Sequence, residues 1–130
     1  MDWKYTLPTQ CPPKEARNDE IELYRLVENS PPTSSDFVPL AVELKTPHQK
    51  FDEFMNCCSH GLSAFKTIEG AIKWRKKYKK KFKNHKISKG VIKKKDGMVL
   101  ETFKRPHITW WVSTEQPERG FIEVEENAAA

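Results

Sequence analysis

The sequence predicts an α+β fold, in which a small, mainly antiparallel sheet packs against two or three helices, one of them strongly basic. Helical periodicity is concentrated in the first half of the chain, and β-prone runs separated by turn residues dominate the second half. The 130 residues include four Trp, three Tyr and seven Phe, enough bulk for one core. We therefore predict a single domain over residues 21–126, preceded by an extended arm over residues 1–20.

The first elements are predicted from local signals. The arm contains several prolines and no sustained period, with Trp3 and Tyr5 as its anchors. A strand is predicted over residues 22–27, where β-prone residues alternate, and residues 29–32 end it.

Two short helices are predicted next. Thr33 and Asp36 have the spacing of a capping box, and Leu40 continues at helical spacing. A second helix is predicted from Pro47 to about Cys57, because proline suits the first helical position and apolar residues return at intervals of three and four.

A strongly basic helix is predicted from about Thr67 to Lys86, and residues 60–65 before it are predicted as a turn that enters a short strand. The Thr67 hydroxyl can cap it by accepting a bond from a free backbone N–H, and Glu69 is favourable near its positive end. An apolar stripe at spacings of three and four then makes the helix part of the core, while lysines fill the remaining face. Gly90 ends this region unless the helix frays earlier, near Asn84.

The second half is predicted to be mainly β. Asp96-Gly97 is typical of a tight hairpin and would join strands over residues 91–93 and 98–103. Further strands are predicted over residues 107–112 and 121–124. Adjacent strand residues point to opposite faces, so Trp110 and Trp111 need a core on one side and a second layer or a ligand on the other. We predict that both are packing residues.

The cysteines and the hydropathy favour a cytoplasmic protein. Cys11, Cys57 and Cys58 are odd in number and two are adjacent, which suits neither a disulfide framework nor a zinc site, so we predict reduced thiols. The histidines lack metal-ligand spacing, so no metal is expected. No apolar run approaches the ~20 residues that cross a bilayer, and the N-terminus lacks a signal peptide's hydrophobic stretch. Phosphate-loop, dinucleotide and hydrolase-elbow motifs are missing from the sequence.

Charge is the strongest functional signal. The net charge is only +5, but residues 66–95 contain fourteen basic residues and one acid, Glu69. The predicted polyanion-binding residues are Lys73, Arg75, Lys76, Lys77, Lys79, Lys80, Lys81 and Lys83. Lysine supplies point charge, so the predicted contact is with the phosphates of RNA or DNA, or with an acidic protein, without base-specific recognition. A solvated helix face without a partner is the alternative, and the acidic C-terminal segment could fold back on the helix.

Several segments carry resemblances. LYRLV at residues 23–27, the PPT and DF that follow it, GLSAFKT at 61–67 and HITW at 107–110 resemble an uncharacterised family of small bacterial proteins. More remotely, an arginine on a first strand, a serine on a strand feeding a helix and a late acidic strand are similar to ADP-ribosyltransferase-like domains, including small toxins. That resemblance implies NAD as cofactor.

The resemblance also implies roles for individual residues. Arg25 and Ser63 would position NAD, and Glu101 would orient the acceptor or stabilise the developing oxocarbenium. His107, on a later strand, completes the candidate catalytic set. The structural alternative is that Arg25 pairs with an acid and Ser63 caps its turn.

Three functional hypotheses follow. The first is a non-catalytic cytoplasmic binding module that contacts nucleic acid or an acidic partner through the lysine-rich helix 67–86. The alternative is an ADP-ribosyltransferase-like, NAD-binding enzyme, a toxin or a defence component. A structural or antitoxin-like partner protein would instead need an exposed apolar patch, for which Trp3, Trp110 and Trp111 are the candidates.

Overall fold

A computed structural model describes residues 1–44 and 51–126, and within them it confirms the α+β fold. The strands are β1 (Ile21–Val27), β2 (Leu62–Phe65), β3 (Lys86–Ile92), β4 (Gly97–Glu101), β5 (His107–Val112) and β6 (Ile122–Glu123). The helices are α1 (Leu40–Leu44), α2 (Glu53–Ser59) and α3 (Ile68–Lys77), with 3-10 turns at Ser34–Phe37 and Lys94–Asp96. The strands form one antiparallel sheet in the order β4-β5-β2-β1-β3-β6. No described helix is long and apolar enough to cross a membrane.

The predicted hairpin at Asp96-Gly97 is wrong. β3 pairs with β1 and β6, whereas β4 pairs with β5, so the two strands lie in different halves of the sheet. The Asp96 carboxylate accepts the Lys93 N–H at 2.7 Å and closes a 3-10 turn. Of the two residues Asp96 and Gly97, only Gly97 has a positive φ, of 143°. A tight hairpin turn of the Asn-Gly type requires positive φ at both central residues.

The basic helix is shorter than predicted. The Thr67 cap is confirmed, since its hydroxyl oxygen accepts the Gly70 N–H at 3.0 Å. The helix ends at Lys77, however, and residues 78–84 form turns. Residues 86–92 are needed elsewhere, because they pair with β1 along its whole length. Gly90 lies inside that strand, where a Cβ would come within 2.6 Å of the Phe121 ring.

The first helices also differ from the prediction. The capping box of Thr33 and Asp36 is confirmed, with the Thr33 N–H donating to the Asp36 carboxylate at 2.9 Å, but it begins a 3-10 turn that is separate from α1. The predicted start at Pro47 lies outside the described residues. α2 is capped by Asp52, whose carboxylate accepts the Met55 N–H at 2.7 Å.

The two faces of the sheet carry different cores. On one, which we call the Trp110 face, Trp110 packs with Phe37 and Phe121. On the other, the His107 face, one apolar cluster lies under α3 around Phe65, and another lies under α2 and the N-terminal arm around Trp111. These are two layers, one for each tryptophan.

Both tryptophans are packing residues, as predicted. Trp110 is 1% exposed and Trp111 is 0% exposed. Their indole N–H groups donate to backbone oxygens, that of Trp110 to Asp96 at 3.1 Å and that of Trp111 to Cys57 at 2.9 Å. The proposed apolar docking patch at these two residues is therefore wrong, and Trp3 is partly buried against the same cluster as Trp111.

The N-terminal arm is held to the sheet. Arg17 and Val99 exchange backbone hydrogen bonds at 2.7 and 2.8 Å. Cys11 and Cys57 form a disulfide with their Cα atoms 5.6 Å apart, and Cys58 is a buried free thiol. The predicted reduced thiols are thus wrong for two of the three cysteines, because the arm brings Cys11 across 46 residues of sequence. The cysteine argument for a reducing compartment falls with it.

Candidate functional site

A hydrogen-bonded polar group interrupts the apolar surface of the His107 face. On the same face of β2 and β5, Ser63 is in register with Thr109, and Phe65 is in register with His107. The Ser63 hydroxyl lies 3.0 Å from Nε2 of His107, whose Nδ1 lies 2.9 Å from the Thr102 hydroxyl. Thr102 continues to the Thr109 hydroxyl at 2.7 Å. Strand register thus joins four polar side chains into one chain of hydrogen bonds.

Burial decides the state of His107. The imidazole is 2% exposed, and three aromatic rings surround it, with centroids at 5.0 Å for Trp74, 5.3 Å for Phe103 and 5.5 Å for Phe65. Loss of hydration disfavours the imidazolium and lowers the pKa of His107 to about 4. The ring is therefore neutral at physiological pH, with one nitrogen donating and the other accepting.

One direction of donation satisfies the whole chain, in which the Thr109 hydroxyl is also hydrogen-bonded to the Cys58 thiol. With Thr109 donating to the thiol, its oxygen accepts from Thr102. Thr102 can then accept from Nδ1–H of His107, and Nε2 is left with a lone pair for the Ser63 O–H. In this arrangement every buried group of the chain is satisfied, and Ser63 is the donor at its open end.

Ser63 opens into a pocket of about 490 Å³ between α2 and α3. The side chain of Ser63 is exposed although β2 is an inner strand, whereas Leu62 and Ala64 on either side of it are buried. The apolar side chains that line the pocket include Leu40, Met55, Trp74, Phe82 and Phe103. The lining also includes polar and charged residues, among them Asp36 and Lys81, and a volume of this size is within the range of small-molecule sites.

Arg25 contributes to the same pocket from an unexpected direction. Its neighbour Tyr24 pairs with Phe65 and therefore lies on the same face as Ser63. Because adjacent strand residues point to opposite faces, Arg25 belongs to the face opposite Ser63. β1 and β2 share only that one registered pair, and the guanidinium donates to the backbone oxygens of Ser63 and Asp36. Its Nε–H is buried and has no hydrogen-bond partner among the described residues.

Burial lowers the pKa of Arg25 to about 10, so it stays cationic at neutral pH. Neither structural expectation for Arg25 and Ser63 is met. Arg25 binds the carbonyl of Asp36 rather than its carboxylate, and Ser63 contacts His107 rather than capping a turn.

Glu101 does not join the other predicted catalytic residues. It registers with Ile108, on the Trp110 face, and its carboxylate binds Lys66 at 2.6 Å and Arg105 at 2.8 Å. The hydrogen bond from Lys66 is the main cause that lowers the pKa of Glu101. The structure therefore brings Ser63 and His107 together with Arg25 behind them, and leaves Glu101 at the edge of the sheet. The implied NAD site stays a prediction that this arrangement does not favour.

Thr102 and Thr109 were missed by sequence reasoning. The signal available for Thr109 was the alternation in His107-Ile108-Thr109, which places two polar side chains on one face of an apolar strand. Such a face requires hydrogen-bond partners, and the sequence did not show that Thr102 and Ser63 supply them.

The second candidate site is the lysine surface, which we define as Lys73, Lys76, Lys77, Lys79, Lys80, Lys81 and Lys83 on α3 and the turns after it. All seven side chains are exposed. Among the described residues none of them lies within 4.0 Å of a carboxylate oxygen. Lys76, Lys79, Lys80 and Lys83 line an open groove of about 450 Å³ with Arg75 and Phe82.

Arg75 differs from these lysines. Both of its terminal nitrogens bind the carboxylate of Glu126, one of them at 2.9 Å, and Arg75 also donates to the backbone oxygen of His85 at 3.1 Å. The pKa of Arg75 is raised and that of Glu126 is lowered, mainly through this hydrogen bonding. The acidic C-terminal segment thus occupies the arginine and leaves the lysines open.

Comparison of the chain with protein-family models, curated proteins and solved structures gives no match. Function must therefore be inferred from the geometry of these two sites.

Proposed function

We propose that the protein binds nucleic acid through the lysine surface, without base specificity. One observation carries the proposal: seven exposed lysines lie within eleven residues and have no carboxylate in reach within the described chain. Clustered positive charge attracts a polyanion, and each phosphate that it neutralises releases condensed counterions. Lys76, Lys79, Lys80 and Lys83 line one groove, and they come from both α3 and the turns after it.

The chemistry of the surface limits what it recognises. Lysine is a point charge, and the guanidinium that could form a bidentate contact with guanine, that of Arg75, is held by Glu126. Phe82 is only partly exposed at the groove, which disfavours a stacking platform. We therefore expect contacts with phosphates and little discrimination among sequences.

The test is a fluorescence-anisotropy titration with mixed-sequence RNA and DNA oligonucleotides at about 50 mM and about 200 mM salt. With about six phosphate contacts, affinity should fall on the order of 10³-fold between these conditions. A variant with Lys76, Lys79, Lys80 and Lys83 all changed to Gln should lower the slope of log affinity against log salt by about one for each phosphate that is no longer neutralised.

The matched control changes the same number of exposed lysines elsewhere, at Lys14, Lys94, Lys95 and Lys104. It alters net charge equally and should leave most of the binding intact. Absence of binding at low salt would overturn the proposal, and an equal loss in the control would show that net charge alone is responsible. Binding to polyglutamate but not to either oligonucleotide would point to an acidic protein partner instead.

A cytoplasmic location belongs to the same proposal, since nucleic acid is abundant there. In a reducing cytoplasm the Cys11–Cys57 bridge would be open, whereas oxidising compartments preserve such bridges. Alkylation of free thiols in rapidly acid-quenched cells distinguishes the two. Three alkylated cysteines support the cytoplasm, and one contradicts it.

A further inference from the structure

We propose that Ser63 is a nucleophile and His107 its general base, in a site that transfers small apolar acyl groups from esters to water. This site is independent of the lysine surface. Its reacting group is the exposed hydroxyl of Ser63, which ends the hydrogen-bonded chain that continues through His107, Thr102 and Thr109. A nucleophile, a base within hydrogen-bond reach and a third group that orients the base form the arrangement that activates serine hydroxyls in enzymes.

The distances meet that requirement. Ser63 Oγ is 3.0 Å from His107 Nε2, within the range for proton transfer, and Thr102 holds the opposite ring nitrogen at 2.9 Å. Three aromatic rings fix the plane of the imidazole, and the Thr109 hydroxyl fixes Thr102 in turn. The base therefore has one position, with its free lone pair directed at the serine.

The pocket supplies the remaining parts of the reaction. Its volume of about 490 Å³ and the side chains of Met55, Trp74 and Phe103 suit an ester with a short apolar acyl group. Arg25 lines the same pocket, and its buried guanidinium donates to the backbone oxygen of Ser63 from the opposite face of the sheet. Its fixed charge adds a positive potential to the pocket, which favours the negative charge that develops on a carbonyl oxygen during attack.

The chemical steps balance without any further reagent than water. The Ser63 oxygen attacks the carbonyl carbon while His107 Nε2 takes the hydroxyl proton, and a tetrahedral oxyanion forms in the pocket. The oxyanion collapses, the C–O bond to the alcohol breaks, and the histidine returns its proton to the departing alcohol. Water then attacks the acyl-serine with the same histidine as base, which releases the carboxylic acid and regenerates Ser63.

The test uses a fluorophosphonate probe, which forms a Ser63 Oγ–P bond and releases fluoride, followed by peptide mass spectrometry. We expect an adduct at Ser63 and turnover of p-nitrophenyl butyrate, with both lost in Ser63→Ala. Ser63 is exposed, so this substitution should not prevent folding. Ser34→Ala is the matched control, because Ser34 is also exposed and is not among the residues that line the pocket.

His107→Gln distinguishes a catalytic role from a structural one, since glutamine can hydrogen-bond with Ser63 but is a very poor base. Its labelling rate should fall on the order of 10²-fold with the folded circular-dichroism spectrum retained. If that variant does not fold, Thr102→Val provides the same readout through loss of the group that orients the base. Lack of a Ser63 adduct in the folded wild-type protein, or labelling of folded His107→Gln or Thr102→Val at the wild-type rate, would overturn the proposal.

Discussion

The lysine surface and the Ser63 pocket differ in almost every physical respect. The lysine surface is formed by seven exposed lysines within eleven consecutive residues, and none of them has a carboxylate oxygen within 4.0 Å in the described parts of the chain. The pocket is formed by residues from β1, β2, β5, α2 and α3, and its histidine is buried and neutral. The first therefore depends little on tertiary packing, while the second exists only when distant segments pack correctly. Substitutions should separate the two regions by their effect on stability.

The largest expected effect comes from the bridge that holds α2, one wall of the pocket. Cys11→Ser removes a cross-link that spans 46 residues, and the chain-entropy relation then predicts a loss of about 4 kcal/mol in the free energy of unfolding. Urea denaturation measures it. Wild-type protein in reducing agent is the control and should unfold with the variant, and an unchanged midpoint in both would contradict a stabilising bridge.

Acid should destabilise the pocket region through His107. Its pKa is about 4 in the folded protein and about 6.5 when unfolded, so the unfolded state binds a proton first as the pH falls. The contribution of His107 to the free energy of unfolding is therefore fully present above about pH 6.5, and about 3 kcal/mol of it is lost as the pH falls toward 4. The lowered pKa of His85 adds to the loss in the same direction.

His107→Gln isolates the contribution of this residue, because glutamine does not titrate in that range. Urea midpoints measured at several pH values should fall less steeply for the variant than for wild type. Parallel curves for the two proteins would show that His107 is not held neutral.

A smaller effect is expected where the lysine surface begins. Thr67→Ala removes the cap of α3, and it should cost about 1 kcal/mol in thermal or urea unfolding. Thr6→Ala, at an exposed threonine of the arm, should change stability by less than about 0.5 kcal/mol. Equal changes in the two variants would mean that the cap contributes nothing.

The smallest effect on stability is expected at Glu126, whose carboxylate binds Arg75 beside the lysine surface. Glu126→Gln removes a partly exposed ion pair, worth less than about 1 kcal/mol, and frees the Arg75 guanidinium. Oligonucleotide binding should become tighter and more salt-dependent, because a further cation joins the lysine surface. Weaker binding would show that the C-terminal segment supports the surface rather than restricts it.

The elements that were predicted well depend on signals within a few residues. The first strand, the Thr67 cap, the capping box of Thr33 and Asp36 and the strand containing both tryptophans follow from side-chain alternation and from hydrogen bonds that span three residues. The end of the basic helix was predicted wrongly for the opposite reason. The predicted helix ran to Lys86, but residues 78–84 form the turns that lead into β3, and the pairing of β3 with β1 is a long-range gain that local propensity does not contain.

The candidate pocket shows the same division. Ser63 and His107 were singled out by residue type, but their contact, and the absence of Glu101 from it, depend on the register of β2 against β5. A shift of one residue would turn either side chain to the opposite face of the sheet.

By itself, the sequence determined the α+β class, the caps, the alternation that gives each tryptophan its own layer, and the position of the lysines. Each depends on neighbours along the chain. Only the tertiary structure decided the strand order, the Cys11–Cys57 bridge and the meeting of Ser63 with His107. The last two join residues 46 and 44 positions apart, and the strand order pairs residues as distant as Ile21 and Ile92. Such contacts form when the free energy of packing the whole sheet exceeds the entropy cost of closing long loops, a balance that no local segment contains.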